Sequence, residues 1–198
     1  MHTRSQPNGS ARIDLHRHPT WRRIHEDEHM TITQAIFAAF TQCRTKSHLS
    51  SHSASEAQNA PGQARQQWDQ LYQRNSSSRL RARVLDGQLY VGTPAVEAIQ
   101  QQQYRVILDC MLQASDLRAH VHGLELVRSP RSKGRSAYVP IRCVSTERIS
   151  TADKLLLTFD ALVFSQTCGI TPPRLGKLIH GREHTTTTLP LAPLYTKV

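Results

Sequence analysis

The amino-acid sequence predicts a mixed α/β fold in which a mixed central sheet is flanked by helices. Three apolar stretches in the middle of the chain have the length and residue types of β-strands. Helical patterns precede them, and an amphipathic helix and two further strand-like stretches follow. Strands interrupted by helices in this order are typical of one mixed α/β domain. A chain of 198 residues has room for one such domain and an extension.

The extension is predicted at the N-terminus, where residues 1–29 form a basic, histidine-rich leader. This leader combines charges of both signs with Pro and Gly and has almost no apolar periodicity, which favours disorder. The folded domain is therefore expected to span residues 30–198. Whether the leader belongs to the native product stays open at this stage.

Two helices are predicted at the start of the domain. Thr33 is suited to cap the first, because its hydroxyl can accept a backbone N–H and the apolar residues that follow share one helical face. The polar stretch 47–62 indicates a loop. The second helix is predicted over residues 63–74. The apolar residues expected on its inner face are Trp68, Leu71 and Tyr72.

Residues 79–91 have two interpretations. Basic and apolar residues alternate at the start, and Asp86-Gly87 is a favoured pair for the tight turn of a hairpin. The first arm is equally compatible with the end of the preceding helix. The cations in this arm would line one face of a strand but would spread around a helix. They are Arg79, Arg81 and Arg83.

The central strands follow from stronger patterns. A short helix over residues 94–102 is expected to precede them. The three strands are predicted at 104–112, 121–127 and 137–144. Pro140 should push the third strand towards a sheet edge or a bulge, because proline has no N–H to donate to a ladder.

The last helix has clear signals at both ends. Ser150 or Thr151 can cap it, and Gly169 is suited to stop it after Cys168. Its apolar run is ten residues long, too short to span a bilayer, so no membrane association is expected. Two more strands are predicted at 175–179 and 185–191.

The charge of the chain points to a polyanionic partner, and DNA is the partner we expect. Lys and Arg number 25 against 15 Asp and Glu, which gives a formal net charge of +10. Solubility alone is the alternative reason for this excess. The four cysteines are far apart and form no metal-binding pair, so we expect reduced thiols and a cytoplasmic location.

Two acids on neighbouring strands, Asp109 and Glu125, are candidates for a catalytic metal site. Carboxylates on adjacent strands can share Mg²⁺ or Mn²⁺, and a phosphate substrate can supply the remaining oxygen ligands. The alternative for each acid is a structural salt bridge to one of the many arginines. His120 and His122 alternate before Glu125 and could approach it, but such residues are more often simply hydrogen bonded.

A basic loop between the second and third strands is a candidate phosphate clamp. Its cations stand among Ser and Gly and could contact a nucleic-acid backbone without reading its sequence. A solvated loop that raises solubility is the alternative. The cations are Arg128, Arg131, Lys133 and Arg135.

Five segments, taken as an ordered series over residues 30–198, resemble the RecB-like nucleases of the PD-(D/E)xK superfamily, which are similar to CRISPR-adaptation exonucleases. The segments are Ile32–Cys43, Tyr104–Asp109, Tyr138–Arg142, Asp153–Val163 and Gly176–Gly181. The resemblance implies a restriction-endonuclease-like core, with Asp109 at the position of the first metal-binding aspartate. It also places Cys43 where the family has the first cysteine of an iron–sulfur cluster.

The chain departs from this family on its third strand. An acid, one spacer and a lysine are expected there, whereas this sequence has Arg142, Cys143 and Val144. Glu125 would then replace the acid, and Lys133 or Arg135 the lysine. The sequence ends before the remaining cluster cysteines would be expected, so an iron–sulfur cluster is not expected in this chain. This ending leaves open a second chain that supplies the missing C-terminal region.

The resulting functional prediction is a nuclease-type DNA-binding domain with metal-dependent phosphodiester hydrolysis as its candidate activity. In that reading Asp109 and Glu125 bind the metal and Lys133 stabilises the transition state. The first alternative is a catalytically inactive nucleic-acid-binding or assembly module. The second is a truncated or degenerate fragment without an independent function.

Overall fold

A computed structural model describes residues 31–43, 45, 47, 48, 60–128 and 136–198. The predicted leader lies outside these residues. So do three of the four cations of the basic loop, namely Arg131, Lys133 and Arg135.

The described chain contains a seven-stranded mixed sheet, which confirms the predicted fold class. Its strands are β1 (Ile32–Thr33), β2 (Leu89–Val91), β3 (Val106–Ala114), β4 (Leu117–Arg128), β5 (Ser136–Val144), β6 (Leu175–His180) and β7 (Thr185–Pro190). The order across the sheet is β2-β3-β4-β5-β6-β7, and β1 pairs with the start of β4. Strands β3, β4 and β5 form an antiparallel meander, whereas β6 runs parallel to β5.

Four helices with defined bounds and a terminal 3₁₀ helix flank the sheet, and residues 45, 47 and 48 are also helical. The helices with defined bounds are α1 (Gln34–Gln42), α2 (Ala60–Arg81), α3 (Val96–Gln100), α4 (Thr151–Cys168) and the 3₁₀ helix Ala192–Lys197. Among these described helices, none is long and apolar enough to cross a membrane.

The predicted helix caps of α1 and α4 are confirmed. The Thr33 hydroxyl accepts the Ile36 N–H at 3.3 Å. Of the two cap candidates for α4, Ser150 is the cap, and it exchanges hydrogen bonds with Asp153 in a capping box. Gly169 ends α4 with φ of 61°, a left-handed conformation that suits glycine. Local sequence signals were therefore sufficient to predict these helix ends.

Helix α2 differs most from its prediction. It begins at Ala60, and it continues to Arg81, so the helical alternative for the arginine-rich segment is correct. The turn at Asp86-Gly87 leads into β2, which pairs in parallel with β3 and forms no hairpin.

The predicted inner face of α2 is wrong for two of its three residues. Trp68 and Leu71 are 61% and 50% exposed, and only Tyr72 is buried. The residues that meet the sheet are instead spaced four apart along one row in the second half of the helix. This row consists of Tyr72, Ser76 and Leu80.

The position of Pro140 also differs from its prediction. Strand β5 lies in the interior of the sheet, between β4 and β6, and Pro140 is buried there. Pro140 pairs with Leu124 of β4, and it lies just before Ile141, the first residue of β5 that pairs with β6. A missing N–H can be tolerated at such a position, because no β6 residue is registered opposite it.

Apolar clusters lie on both sides of the sheet. On the α4 side, Phe159 and Val163 pack with buried residues of the central strands. These strand residues are Ile107, Cys110, Leu112, Val121 and Leu124. On the α2 side, Leu80 packs with Val106, Leu108, Ile141 and Ile179. The sheet therefore separates an α4 side from an α2 side.

The alternation of side chains changes phase in the middle of β3 and β4. Ile107 belongs to the α4-side core, and so does Cys110, although a regular strand would place them on opposite faces. The change occurs at Asp109, which has φ of 55°. The pairing continues in the same register, with Leu108 opposite Gly123 and Cys110 opposite Val121. Asp109 is thus the centre of a local distortion.

Candidate nucleic-acid interface

A basic groove lies on the α2 side of the sheet, beneath the C-terminal end of α2. It consists of two adjoining cavities of about 640 and 200 Å³ that share Arg105, Glu125 and Lys177. The charged side chains that line it come from several elements. We define the basic groove by these residues, which are Arg83, Arg105, Arg128, Lys177 and Glu125.

The sheet and its flanking turns fix the backbone of these residues. Glu125 stands on β4 opposite Val106, and Lys177 stands on β6, with β5 between the two. Arg105 is held just before β3, because its N–H donates to the Gln88 carbonyl at 2.8 Å and its carbonyl accepts the Leu126 N–H at 2.8 Å. The backbone of these three residues is therefore held by the sheet.

The charges of the groove are unbalanced in favour of cations. The Lys177 ammonium lies 2.6 Å from the Glu125 carboxylate, and both side chains are partly exposed. Glu125 can neutralise only one of the cations. The other three, Arg83, Arg105 and Arg128, are exposed. An excess of cations in a concave surface attracts anions more strongly than the same charges on a flat one.

The predicted basic loop is attached to this groove. Arg128 and Ser136 are paired at the ends of β4 and β5, and both line the larger cavity. The chain between them carries Arg131, Lys133 and Arg135, which lie outside the described residues. Of the loop cations, the structure therefore places Arg128 in the groove.

Asp109 lies elsewhere on the sheet. Its carboxylate accepts a hydrogen bond from the Gln73 side chain of α2 at 2.8 Å, and the His120 ring nitrogen is 3.5 Å away. The side chain is 43% exposed. A left-handed backbone conformation at an aspartate costs about 1 kcal/mol, and residues held in such conformations cluster at functional sites.

His122 stands opposite Asp109 in the register and is held as a neutral ring. Its Nδ1 accepts the Cys143 N–H at 3.0 Å, so the proton of the neutral ring is on Nε2. Burial lowers the pKa of His122 well below its ordinary value, and the nearby charge of Arg142 lowers it further. His122 is a hydrogen-bond acceptor for β5.

A buried ion pair on the α4 side was missed by the sequence analysis. Asp160 of α4 is 0% exposed, and its carboxylate accepts a hydrogen bond from the Arg142 guanidinium at 2.8 Å. Gln34 of α1 also donates to this carboxylate, and its amide bonds both the N–H and the C=O of His120. Burial raises the pKa of Asp160, and Arg142 and Gln34 oppose this rise.

A signal for this pair was present in the sequence. Asp160 interrupts the most apolar run of the chain, and Arg142 interrupts an apolar strand. Opposite charges that are both placed in apolar segments are costly to bury alone, so they are expected to pair. The pattern does not say which arginine is the partner, because the two residues lie in different elements.

The described residues do not fit a metal ion shared by Asp109 and Glu125. Glu125 is opposite Val106, three residues from Asp109, a separation of about 10 Å along the strand. Glu125 is bound by Lys177, and Asp109 by Gln73. On the third strand, Arg142 faces Asp160. Within the described ranges no group of three or more His, Cys, Asp or Glu side chains could hold a metal.

The four cysteines are not joined in disulfides. Cys43 is exposed near the end of α1. Burial raises the pKa of Cys110, Cys143 and Cys168 to about 11 in each case, so these three thiols are protonated at neutral pH and poor nucleophiles.

No protein-family model matches this chain, and no curated protein matches it either. The resemblance to the RecB-like nucleases therefore stays a prediction, and a function must be argued from the residues themselves.

Proposed function

We propose that this chain is a nuclease-type domain that binds the backbone of DNA in the basic groove without cleaving it. The observation that carries the proposal is the convergence of four cationic side chains on one concave surface, with a single carboxylate among them. Lysine and arginine contacts to phosphates supply most of the affinity of sequence-independent binding.

The distribution of charge supports this proposal beyond the groove itself. The chain has a formal net charge of +10, which attracts polyanions over a longer range. The groove is continuous with Arg128, where the loop with three further cations begins. Cations on regular strands next to cations on a loop can follow a phosphate backbone without reading bases.

Cleavage is not part of the proposal, because the arrangement of the acids does not support it. Asp109 and Glu125 are engaged by different partners, and the position expected to hold the third-strand acid carries Arg142. Hydrolysis of a phosphodiester needs groups that converge on the reacting phosphate. Among the described residues, the cations of the basic groove support binding, and Asp109 and Glu125 do not converge.

The proposal is tested by the salt dependence of DNA binding. In the groove variant Arg83→Gln/Arg105→Gln/Arg128→Gln, three cations are removed from the groove. We expect a loss of affinity and a decrease of about 2–3 in the slope of log K against log salt, since each contacted phosphate contributes about 0.9. Fluorescence anisotropy with a labelled duplex at several salt concentrations measures both quantities.

The matched control removes the same charge from other surfaces. Arg118, Arg174 and Lys197 are exposed and do not line the groove. The control variant Arg118→Gln/Arg174→Gln/Lys197→Gln should keep most of the affinity and a slope close to that of the wild type. Equal losses in both variants would show that net charge alone attracts DNA and would reject the groove as the site.

A cleavage assay separates binding from hydrolysis. The wild type and Asp109→Ala are incubated with single- and double-stranded DNA in Mn²⁺ and in Mg²⁺. We expect intact DNA from both proteins. Cleavage by the wild type that is lost in Asp109→Ala would contradict the proposal and would establish a nuclease.

A further inference from the structure

A polar stripe runs along the solvent-facing side of α2. Its residues follow one another three or four positions apart, which places them on one face of the helix. Arg74 stands about 200° around the helix from Tyr72, so the stripe lies opposite the row that meets the sheet. All side chains of the stripe are exposed. We define the polar stripe by its residues, which are Gln67, Gln70, Arg74, Ser78 and Arg81.

The stripe is positively charged and contains no acid. Arg74 and Arg81 form no salt bridge within the described part of the chain. The single acid of α2, Asp69, faces the sheet, because its carboxylate accepts a hydrogen bond from the Ser145 hydroxyl at the end of β5. The two guanidinium groups of the stripe therefore have no anionic partner among the described residues.

Helix α2 forms a ridge on its side of the sheet. The other helices with defined bounds pack on the opposite side, where Phe37 of α1 stacks on Phe159 of α4 with centroids 4.9 Å apart and Ile99 of α3 joins the same cluster. The 3₁₀ helix also packs against α4. Every residue from Gln63 to Leu71 is exposed, and burial begins only at Tyr72. The stripe is therefore the crest of an isolated helix.

The dimensions and side chains of this ridge match the major groove of duplex DNA. An α-helix with its side chains is about 10–12 Å across, and the major groove of B-DNA is about 12 Å wide. Arginine and glutamine are the side chains that pair with the edges of guanine and adenine in that groove. The major groove of duplex RNA is too narrow for side chains to read. The stripe carries no aromatic ring, so it offers unpaired bases no surface for stacking.

We propose that the polar stripe of α2 enters the major groove of duplex DNA. This inference rests on the proposed function and specifies its ligand as a B-form duplex. Arg74 and Arg81 are about 10 Å apart along the helix axis, the length of about three base pairs. The stripe is continuous with the basic groove, because Arg81 stands between Leu80 and Arg83, which both line the smaller cavity. A duplex that receives the stripe therefore brings the phosphates beside its major groove to the cations of the basic groove.

Binding to matched duplex and single-stranded oligonucleotides tests the inference. We expect the wild type to bind the duplex more tightly, and tighter binding of the single strand would overturn the inference. The stripe variant Arg74→Gln/Arg81→Gln should weaken duplex binding roughly 5- to 150-fold, the range for the loss of one base-edge contact. Both positions are exposed and glutamine is a good helix former, so circular dichroism should show an unchanged fold.

The matched control removes two cations from other faces of the same helix. Arg65 stands about 180° around the helix from Arg74. The Arg79 guanidinium donates to the Glu183 carbonyl at 3.1 Å, towards the turn between β6 and β7. The control variant Arg65→Gln/Arg79→Gln should bind the duplex like the wild type. Equal losses in the control and the stripe variant would show that the charge of α2 attracts DNA whatever its face, and would overturn the inference.

A duplex with a filled major groove provides the decisive comparison. Glucosylated 5-hydroxymethylcytosine places sugars in the major groove and leaves the phosphates and the minor groove in place. The wild type should bind this duplex about as weakly as the stripe variant binds the plain one, and the stripe variant should not distinguish the two. Equal binding of the wild type to both duplexes would overturn the inference.

The groove variant separates this inference from the proposed function. It keeps the polar stripe, so it should bind both duplexes more weakly than the wild type does and still prefer the plain one. Loss of affinity in the groove variant together with normal duplex binding by the stripe variant would overturn the inference and leave the proposed function intact. Absence of binding to any DNA would reject both.

Discussion

The two sides of the sheet differ in how deeply their ion pairs are buried. On the α4 side, Arg142 and Asp160 are joined at 2.8 Å, and the acid has no access to solvent. On the α2 side, Glu125 and Lys177 are 2.6 Å apart, but both remain partly exposed, and further cations stand near them. An ion pair is therefore buried on the α4 side and partly exposed to solvent on the α2 side.

This difference indicates a division of roles between the two sides. A buried pair contributes to the structure chiefly because the loss of one partner leaves an uncompensated charge. An exposed pair contributes little to stability, because water and salt screen it. We therefore expect substitutions on the α4 side to change folding and substitutions on the α2 side to change binding.

The largest effect is expected from Arg142→Met. This change leaves the Asp160 carboxylate buried without its guanidinium, and we expect a loss of about 3–5 kcal/mol in the free energy of unfolding. Urea denaturation monitored by circular dichroism measures the loss. The matched control is Arg182→Met, which breaks the exposed contact with Glu147 and should cost less than about 1 kcal/mol.

A double substitution checks the cause of this loss. Arg142→Met combined with Asp160→Leu removes both charges, so the double variant should recover most of the stability lost by Arg142→Met. If it is less stable than Arg142→Met alone, packing and not the unpaired charge explains the effect.

The next effect is a decrease of stability in acid caused by His122. Its pKa is lowered in the folded protein, so the unfolded chain binds the proton more readily. The contribution of His122 is complete above its unfolded pKa of about 6.5 and is lost as pH falls from there through the folded pKa. Urea midpoints at pH 7.5, 6.5 and 5.5 measure the decrease.

His122→Asn is the control for this prediction. Asparagine can still accept the Cys143 N–H but does not titrate, so its stability should fall less between pH 6.5 and 5.5 than that of the wild type. Parallel decreases in the two proteins would assign the acid sensitivity to other groups.

A smaller effect tests the strained backbone at Asp109. Glycine normally weakens a strand relative to alanine, but at φ of 55° the order should reverse. Asp109→Ala is expected to be about 1 kcal/mol less stable than Asp109→Gly, because both lose the Gln73 contact and only alanine keeps the strain. Thermal unfolding of the two variants gives the difference. If Asp109→Ala is instead the more stable of the two variants, the strand relaxes around position 109.

The smallest effect concerns the partly exposed ion pair of Glu125 and Lys177 on the α2 side. Glu125→Gln removes the one carboxylate of the basic groove and should strengthen DNA binding about two- to fivefold at low salt, with little change at high salt. Stability should change by less than about 1 kcal/mol. A metal-dependent site would respond in the opposite sense, with weaker binding after the loss of a ligand. The same anisotropy titrations measure this outcome.

The sequence was most informative where the cause is local. The cap at Ser150, the stop at Gly169 and the apolar strands depend on residues close to one another, and these elements have the predicted type. Bounds shifted by a few residues, as for β4, which begins at Leu117 because β1 and β3 both pair with its first half.

The errors arose where tertiary packing selects among local alternatives. Trp68 lies on the same row of the helix as Tyr72, but only the part of that row from Tyr72 onwards is buried. Pro140 is tolerated inside the sheet because β6 begins to pair one residue later. Neither outcome follows from the pattern of a single element.

The candidate site was predicted in part. Arg128 and Glu125 were singled out from the sequence, and both line the groove. The other cations come from the turn after α2, the bend before β3 and the strand β6, and only folding brings them together. Asp109 and Glu125 lie on adjacent strands as expected, but adjacency does not fix their separation along the strands.

The buried pair on the α4 side also constrains the order in which this chain can change. The substitution Arg142→Asp would place an acid on strand β5, yet in one step it would also place two carboxylates side by side without solvent. The two carboxylates of this intermediate would repel each other, and neither would have a cation as partner. The loss in the free energy of unfolding would be a large part of the stability of a small domain. A route to an acid at position 142 is therefore less costly if Asp160 is neutralised first, so the two positions are expected to change in that order.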